Sequence, residues 1–142
     1  MTDTRTALDR GRILVTGGAG FIGSALVWAL NQRGLDRNLV TDRLDQSEKW
    51  RNLVPLRFDD VLDADALLPT LDRGLLDDVR VVFHLGACSS TTERDAGYLL
   101  RNNVHYTRTL AEWAVGRGVR FVYASSAATY GAREGTLTED TP

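Results

Sequence analysis

The sequence predicts a doubly wound α/β fold built on a parallel sheet. Three observations carry this expectation. Short apolar runs alternate with longer segments of helical spacing along the 142 residues, the pattern of repeated strand–helix–strand units. The apolar runs are nearly continuous, as strands covered on both faces require. A glycine-rich turn joins the first run to the first helical segment, where the chain must reverse sharply into a right-handed crossover.

Each element follows in order. "RILVT" (12–16) reads as a buried strand. After the turn "GGAGFIGS", Ile22, Leu26, Ala29 and Leu30 mark one face of a helix, and Gly34 is its stop. "NLVT" (38–41) is a second strand and "VPLRF" (54–58) a third. "ADALLPTL" forms a crossover helix that Pro69 should shorten or break. "VRVVFHL" (79–85) is a fourth strand. From Ala96 to Val115 the positions Leu100, Val104, Thr107, Ala111 and Ala114 keep helical spacing, with Gly118 as the stop. "VRFVYAS" (119–125) is a fifth strand.

Composition narrows the function classes. The chain is 43% hydrophobic and 25% charged, with a net charge of −2, as in ordinary soluble domains. That charge gives no reason to expect nucleic acid or an anionic membrane as a partner. No apolar run reaches the roughly 18 residues of a bilayer span. Residues 1–11 form a polar extension without the apolar core of a secretory signal, so a cytoplasmic location is expected. Two histidines and one cysteine, without spaced carboxylates, make no metal set. His84, inside a strand, is expected to be buried and hydrogen-bonded.

Gly17, Gly20 and Gly23 are spaced G-x-x-G-x-x-G between the first strand and the first helix. A glycine triplet alone is equally a flexible turn. Here it stands where a tight turn, a close backbone approach to a pyrophosphate and tight helix–strand packing are needed together. The anion would meet unpaired amides at the helix start. Asp42 closes the second strand, where a carboxylate can bond adenosine ribose hydroxyls. This combination predicts dinucleotide binding. Asp42 favours NAD; the Arg43 guanidinium beside it could pair with a 2′-phosphate and favours NADP. Lys49 is a further phosphate partner or a solvated charge. "HLGACSSTTERD" (84–95) leaves the fourth strand at the edge that faces the ligand crevice. Cys88 has no His or Lys near it in sequence to activate it and reads as a packing residue.

"TGGAGFIG", "HLGA" and "SSAATYG" resemble the extended short-chain dehydrogenases/reductases, the group of sugar-nucleotide epimerases and dehydratases. The resemblance runs from about Arg12 to the end. The fuller wording "HLGACSSTTERD", the pair Asn102–Asn103 and "YASSAATYGAR" resemble the branch that epimerises ADP-heptoses at C6. It implies a Rossmann domain over 12–142, incomplete, with about five strands and without the later strands and substrate lobe. Its cofactor would be a tightly held NADP or NAD, NADP being the first choice. Phe21 and Ile22 would meet the pyrophosphate; Asp42, Arg43 and Lys49 the adenosine ribose. Leu85, Gly86, Ala87, Cys88 and Ser89 would line the dinucleotide beyond the fourth strand, and Asn102 would hydrogen-bond toward it. Ser126 would be the active-site hydroxyl, although a serine ending a strand is also a common cap. Family members commonly carry Asn where Arg43 stands and an acid where Leu85 stands.

The family's acid/base pair is a tyrosine with a lysine four residues on. Tyr98, Tyr106, Tyr123 and Tyr130 are followed at that position by Asn102, Leu110, Ala127 and Glu134. The resemblance therefore implies a parent isomerase acting on an ADP-heptose, a homo-oligomer in the cytoplasm, and a 142-residue chain without turnover of its own. The fifth strand would stand as an unpaired parallel edge, which predicts marginal folding alone. A related sugar-nucleotide epimerase or dehydratase, and a non-catalytic dinucleotide-binding module, are the competing readings.

Overall fold

A computed structural model describes residues 8–132 and 134–138. Its strands are β1 (Arg12–Thr16), β2 (Asn38–Asp42), β3 (Asp60–Asp63), β4 (Val79–His84) and β5 (Arg120–Tyr123). They form one sheet in the order β3-β2-β1-β4-β5, all parallel. The order reverses between β1 and β4, so the crevice of this architecture opens at their carboxyl ends. The register brings Thr16 level with both Thr41 and His84, and His84 level with Tyr123.

Helices cover both faces. α1 (Phe21–Asn31) packs Val27 and Leu30 on Ile13, Val15, Val40 and Val81. On the other face, α2 (Ala64–Asp72) brings Leu67 and Leu71 against Leu14, Leu39 and Val82. Beyond β4 come α3 (Ala96–Leu99), a π-helical stretch (Leu100–His105) and α4 (Tyr106–Gly116), which adds Leu110 and Ala114 to that second core. β1 thus splits its side chains between two cores, and Leu14 and Val15 are both fully buried. Each such side chain contributes ~1.5–3 kcal/mol relative to exposure.

The N-terminal end of β1 is clamped from across the sheet. The Arg12 guanidinium donates to both carboxylate oxygens of Asp78 at 2.7–2.9 Å. This pair holds the Asp78 carboxyl below its ordinary range. The two edge strands are more open. Val122 and Tyr123 on β5 are about half exposed, as expected of a parallel edge.

Four expectations are corrected. Residues 54–58 do not form a strand; β3 lies at Asp60–Asp63. The reason is Asn31, buried at the end of α1. Its side chain donates to the Arg57 carbonyl at 2.9 Å and accepts the Arg57 amide at 2.8 Å. Those backbone groups are thereby taken from any ladder, which begins only where Asp59 N reaches Asn38 O. Pro69 neither ends nor visibly shortens α2, which runs three residues past it to Asp72. Asp63 caps the helix by accepting the Asp65 amide, and burial of Leu67 and Leu71 offsets the ~3 kcal/mol an interior proline costs.

The third correction concerns Ile22, which is 68% exposed. The buried face of α1 is Gly23, Val27, Leu30 and Asn31, one position on from the expected stripe. The fourth is parallel: Leu100 and Val104 are exposed, and the packed face of α4 is Leu110 and Ala114 with Tyr106 and Trp113. Gly34 and Gly118 take positive φ just beyond their helices, as stops should.

Candidate functional site

The strand ends Thr16 and Asp42 and the residues that follow β4, Leu85, Gly86 and Ala87, meet over one open cleft of about 540 Å³. Its floor is the glycine turn. Gly17 has φ +67°, and a Cβ there would lie 2.8 Å from the Gly86 Cα. A Cβ on Gly23 would come within 2.1 Å of the Gly17 carbonyl oxygen. The first glycine therefore lets β1 turn flat against the strand-four loop, and the third lets α1 sit on the turn itself. Gly20 caps α1 without a side chain, and no acidic residue stands in the first turn. The amides opening α1 thus keep their positive end directed at the cleft. This cradle, closed to a Cβ at Gly17 and Gly23 and lined by amides, fits a pyrophosphate.

At the far end of β2, Asp42 is nearly buried and tightly organised. Its Oδ2 accepts the Ala19 amide at 2.9 Å, and its Oδ1 accepts the Arg43 amide at 2.8 Å and Lys49 Nζ at 2.6 Å. The carboxylate is therefore held in one orientation, with acceptor capacity left on Oδ2 for a ribose hydroxyl. Arg43 forks onto Asp65 and reaches Asn102 Oδ1 at 3.3 Å. Asn102 in turn donates to Asn103 Oδ1 at 2.9 Å.

The wall beyond β4 is held by the second asparagine. Asn103 accepts the Cys88 amide at 2.8 Å and donates to the Cys88 carbonyl at 2.9 Å. This pair of bonds pins the loop 86–89 to the π-helical stretch. His84 is buried, and burial pushes its pKa down to about 4; it is a neutral structural ring. Burial also raises the Tyr106 pKa, and the phenol donates to the Ala64 carbonyl at 2.9 Å. Tyr106 therefore stays protonated and serves as a positioned wall of the cleft.

A family model described as the NAD dependent epimerase/dehydratase family matches residues 13–142. The chain belongs to this family. It is 53% identical over 119 residues to an ADP-L-glycero-D-manno-heptose-6-epimerase of Nitratidesulfovibrio vulgaris, covering 83% of this chain and 37% of that protein. A protein of the same name from Cupriavidus pinatubonensis is 49% identical, with 84% and 36% covered. The solved structure of the Helicobacter pylori ADP-L-glycero-D-manno-heptose-6-epimerase superposes with a TM-score of 0.76 at 28% identity, covering 99% of this chain and 46% of that one. The UDP-glucuronic acid 4-epimerase of Bacillus cereus, solved with NAD, gives a TM-score of 0.76 at 30% identity, with 92% and 45% covered. The chain thus spans less than half the length of the relatives it matches.

Within this epimerase/dehydratase domain the cleft gathers nearly every residue singled out from the sequence. Gly17, Gly20, Phe21, Ile22, Gly23, Asp42, Arg43, Lys49, Leu85, Gly86, Ala87, Ser89 and Asn102 all line it. Phe21 and Ile22 line it as exposed side chains at the mouth. Cys88 and Ser126 are not among the lining residues. Cys88 contributes its backbone to the Asn103 clamp, and Ser126 Oγ accepts the Ala128 amide at 3.2 Å, capping the short 3-10 helix Ala127–Tyr130. Sequence reasoning missed Thr16, Thr41, Asp45, Ala64, Tyr98, Tyr106 and Ala124 on the lining. Only Thr16 carried a signal, as the last residue of β1 before the glycines; Tyr98 and Tyr106 arrive through the helical geometry after β4. Among the described residues no cluster of His, Cys, Asp or Glu could hold a metal, and no helix is long and apolar enough to cross a membrane.

Proposed function

We propose that the chain is the dinucleotide-binding portion of an ADP-heptose 6-epimerase, taking NADP or NAD in the cleft above the glycine turn. The observation that carries this reading is the cradle itself: Gly17 and Gly23, which admit no Cβ, a helix start without a side-chain cap and an oriented carboxylate at the end of β2. The 53% identity to a protein named for that epimerase activity supports the substrate class. The bound nicotinamide would supply hydride exchange at C6 of the sugar. The chain's own residues do the holding. Amides of Phe21 and Ile22 bind the pyrophosphate, Asp42 orients the adenosine ribose, and Arg43 and Lys49 meet a 2′-phosphate. Leu85, Gly86, Ala87 and Ser89 shape the nicotinamide end.

Ser126 would leave its cap to hydrogen-bond a sugar oxygen, steadying charge as it develops there. The proton exchange would fall to the tyrosine–lysine pair that these 142 residues do not contain. The parent would work in the cytoplasm as a homo-oligomer. Titration of the purified chain with NAD and NADP tests the binding half of this proposal, and micromolar affinity for either is expected. Binding of neither would overturn it. In the same sample ADP-heptose should not be epimerised, and turnover above a Ser126→Ala control would refute the division of labour.

A further inference from the structure

Arg43 is the cation nearest the adenosine end of the cleft that is not committed to Asp42, and its fork is already occupied. Nη1 donates to Asp65 Oδ2 at 2.7 Å and Nη2 contacts Oδ1 at 2.6 Å. This is the two-pronged geometry in which a guanidinium takes a phosphate. The two partners differ in anchorage. Arg43 is one-third exposed and also touches Asn102, whereas the Asp65 side chain is 70% exposed in the first turn of α2. Asp65 is therefore the partner that can leave. Lys49, the other cation offered to a 2′-phosphate, is paired instead with Asp42 at 2.6 Å, a carboxylate that the Ala19 amide keeps in the cleft.

We propose that Asp65 is a specificity-determining residue that occupies the Arg43 fork and competes with a ribose 2′-phosphate, restraining the preference for NADP over NAD. This rests on the cleft being a dinucleotide site. With NAD, the ribose hydroxyls meet Asp42 and the Arg43–Asp65 pair stays closed. With NADP, the phosphate takes the guanidinium, and Asp65 is turned out as a like charge beside it. An exposed ion pair is weak, so Asp65 acts as a graded penalty and not as a block.

The test measures NAD and NADP dissociation constants for the wild-type chain, Asp65→Asn, Arg43→Ala and the double variant. Titrations with 2′,5′-ADP and 5′-AMP read the adenosine end alone. Asp65→Asn should tighten NADP and 2′,5′-ADP about three- to tenfold and leave NAD and 5′-AMP within about twofold. In the Arg43→Ala background the same change should have no selective effect. An unchanged NADP-to-NAD ratio in Asp65→Asn would overturn the proposal. So would weaker NADP binding, which would make Asp65 a support that orders Arg43. If Asp65→Asn melts early, Asp65→Ser replaces it under the same criteria. Failure of the wild-type chain to bind either dinucleotide is a different result, and it removes the site reading along with the inference.

Discussion

Thr16 Oγ1 lies 2.6 Å from His84 Nδ1, and the same oxygen accepts the amides of Leu85 at 3.1 Å and Gly86 at 3.0 Å. Two amides use both lone pairs of the hydroxyl, so its proton goes to His84 Nδ1. The ring is then the Nε2–H tautomer, and Nε2 donates to Thr107 Oγ1 at 2.8 Å. One threonine thus ties the end of β1 to the loop leaving β4, and one neutral histidine ties both to α4.

That network predicts a pH signature. His84 titrates near 6.5 when unfolded and near 4 when folded, through burial. Between those values the unfolded chain binds more protons. The His84 contribution is therefore complete above about pH 6.5 and falls as pH drops toward about 4, by up to ~3 kcal/mol in all. Asp36 and Asp78 have carboxyls lowered by Arg57 and Arg12, so their contributions persist until pH falls below the ordinary carboxylate value of 3.8. Urea midpoints between pH 6.5 and 4.5 should decline in the wild type and flatten in His84→Gln. Equal slopes in the two proteins would refute the assignment.

The glycine turn predicts a sharp contrast between two alanine substitutions. Gly23→Ala places a methyl 2.1 Å from the Gly17 carbonyl and 2.7 Å from the Gly18 Cα, both backbone atoms that cannot step aside. It should cost ~2–4 kcal/mol and abolish dinucleotide binding. Gly34→Ala meets nothing within 4 Å but sits at φ +73°, so it should cost only ~1–2 kcal/mol and leave binding intact. Thermal melts and an NAD titration of both variants decide the matter.

The Asn103 clamp predicts a change in thiol chemistry. Asn103→Ala removes both bonds to the Cys88 backbone and costs ~1–3 kcal/mol through the groups left unpaired. The loop carrying Gly86, Ala87 and Ser89 should loosen, and maleimide should label Cys88, the single cysteine, at least several-fold faster. Dinucleotide affinity should fall together with that rise. A labelling rate equal to the wild type's would show that the loop is held by something else.

Local signals read the sheet and the cradle well. β1, β2 and β4 announce themselves as apolar runs, and Gly17, Gly23 and Asp42 are dictated by turn and cleft geometry that any sequence of this kind must satisfy. Three features were out of reach because each depends on a partner distant in sequence. The 54–58 segment has strand-like residues, but Asn31 claims the Arg57 backbone from twenty-six positions away. Ile22 fits the helical stripe, yet the helix begins at the sheet's rim, where there is nothing to pack it against. Tyr106 looked like any aromatic on a helix until the cleft placed Ala64 beneath its hydroxyl.

The widened stretch Leu100–His105, where the Tyr106 amide reaches back five residues to the Arg101 carbonyl, acts as a phase shifter. An extra residue in one turn rotates everything after it by about 100° relative to a plain α-helix. Within the widened turn, Asn102 and Asn103 answer to the cleft and its loop; downstream, Leu110 and Ala114 answer to the core. Neither half has to compromise its facing for the other. Deleting a single residue there would restore a regular helix and force the two allegiances into conflict.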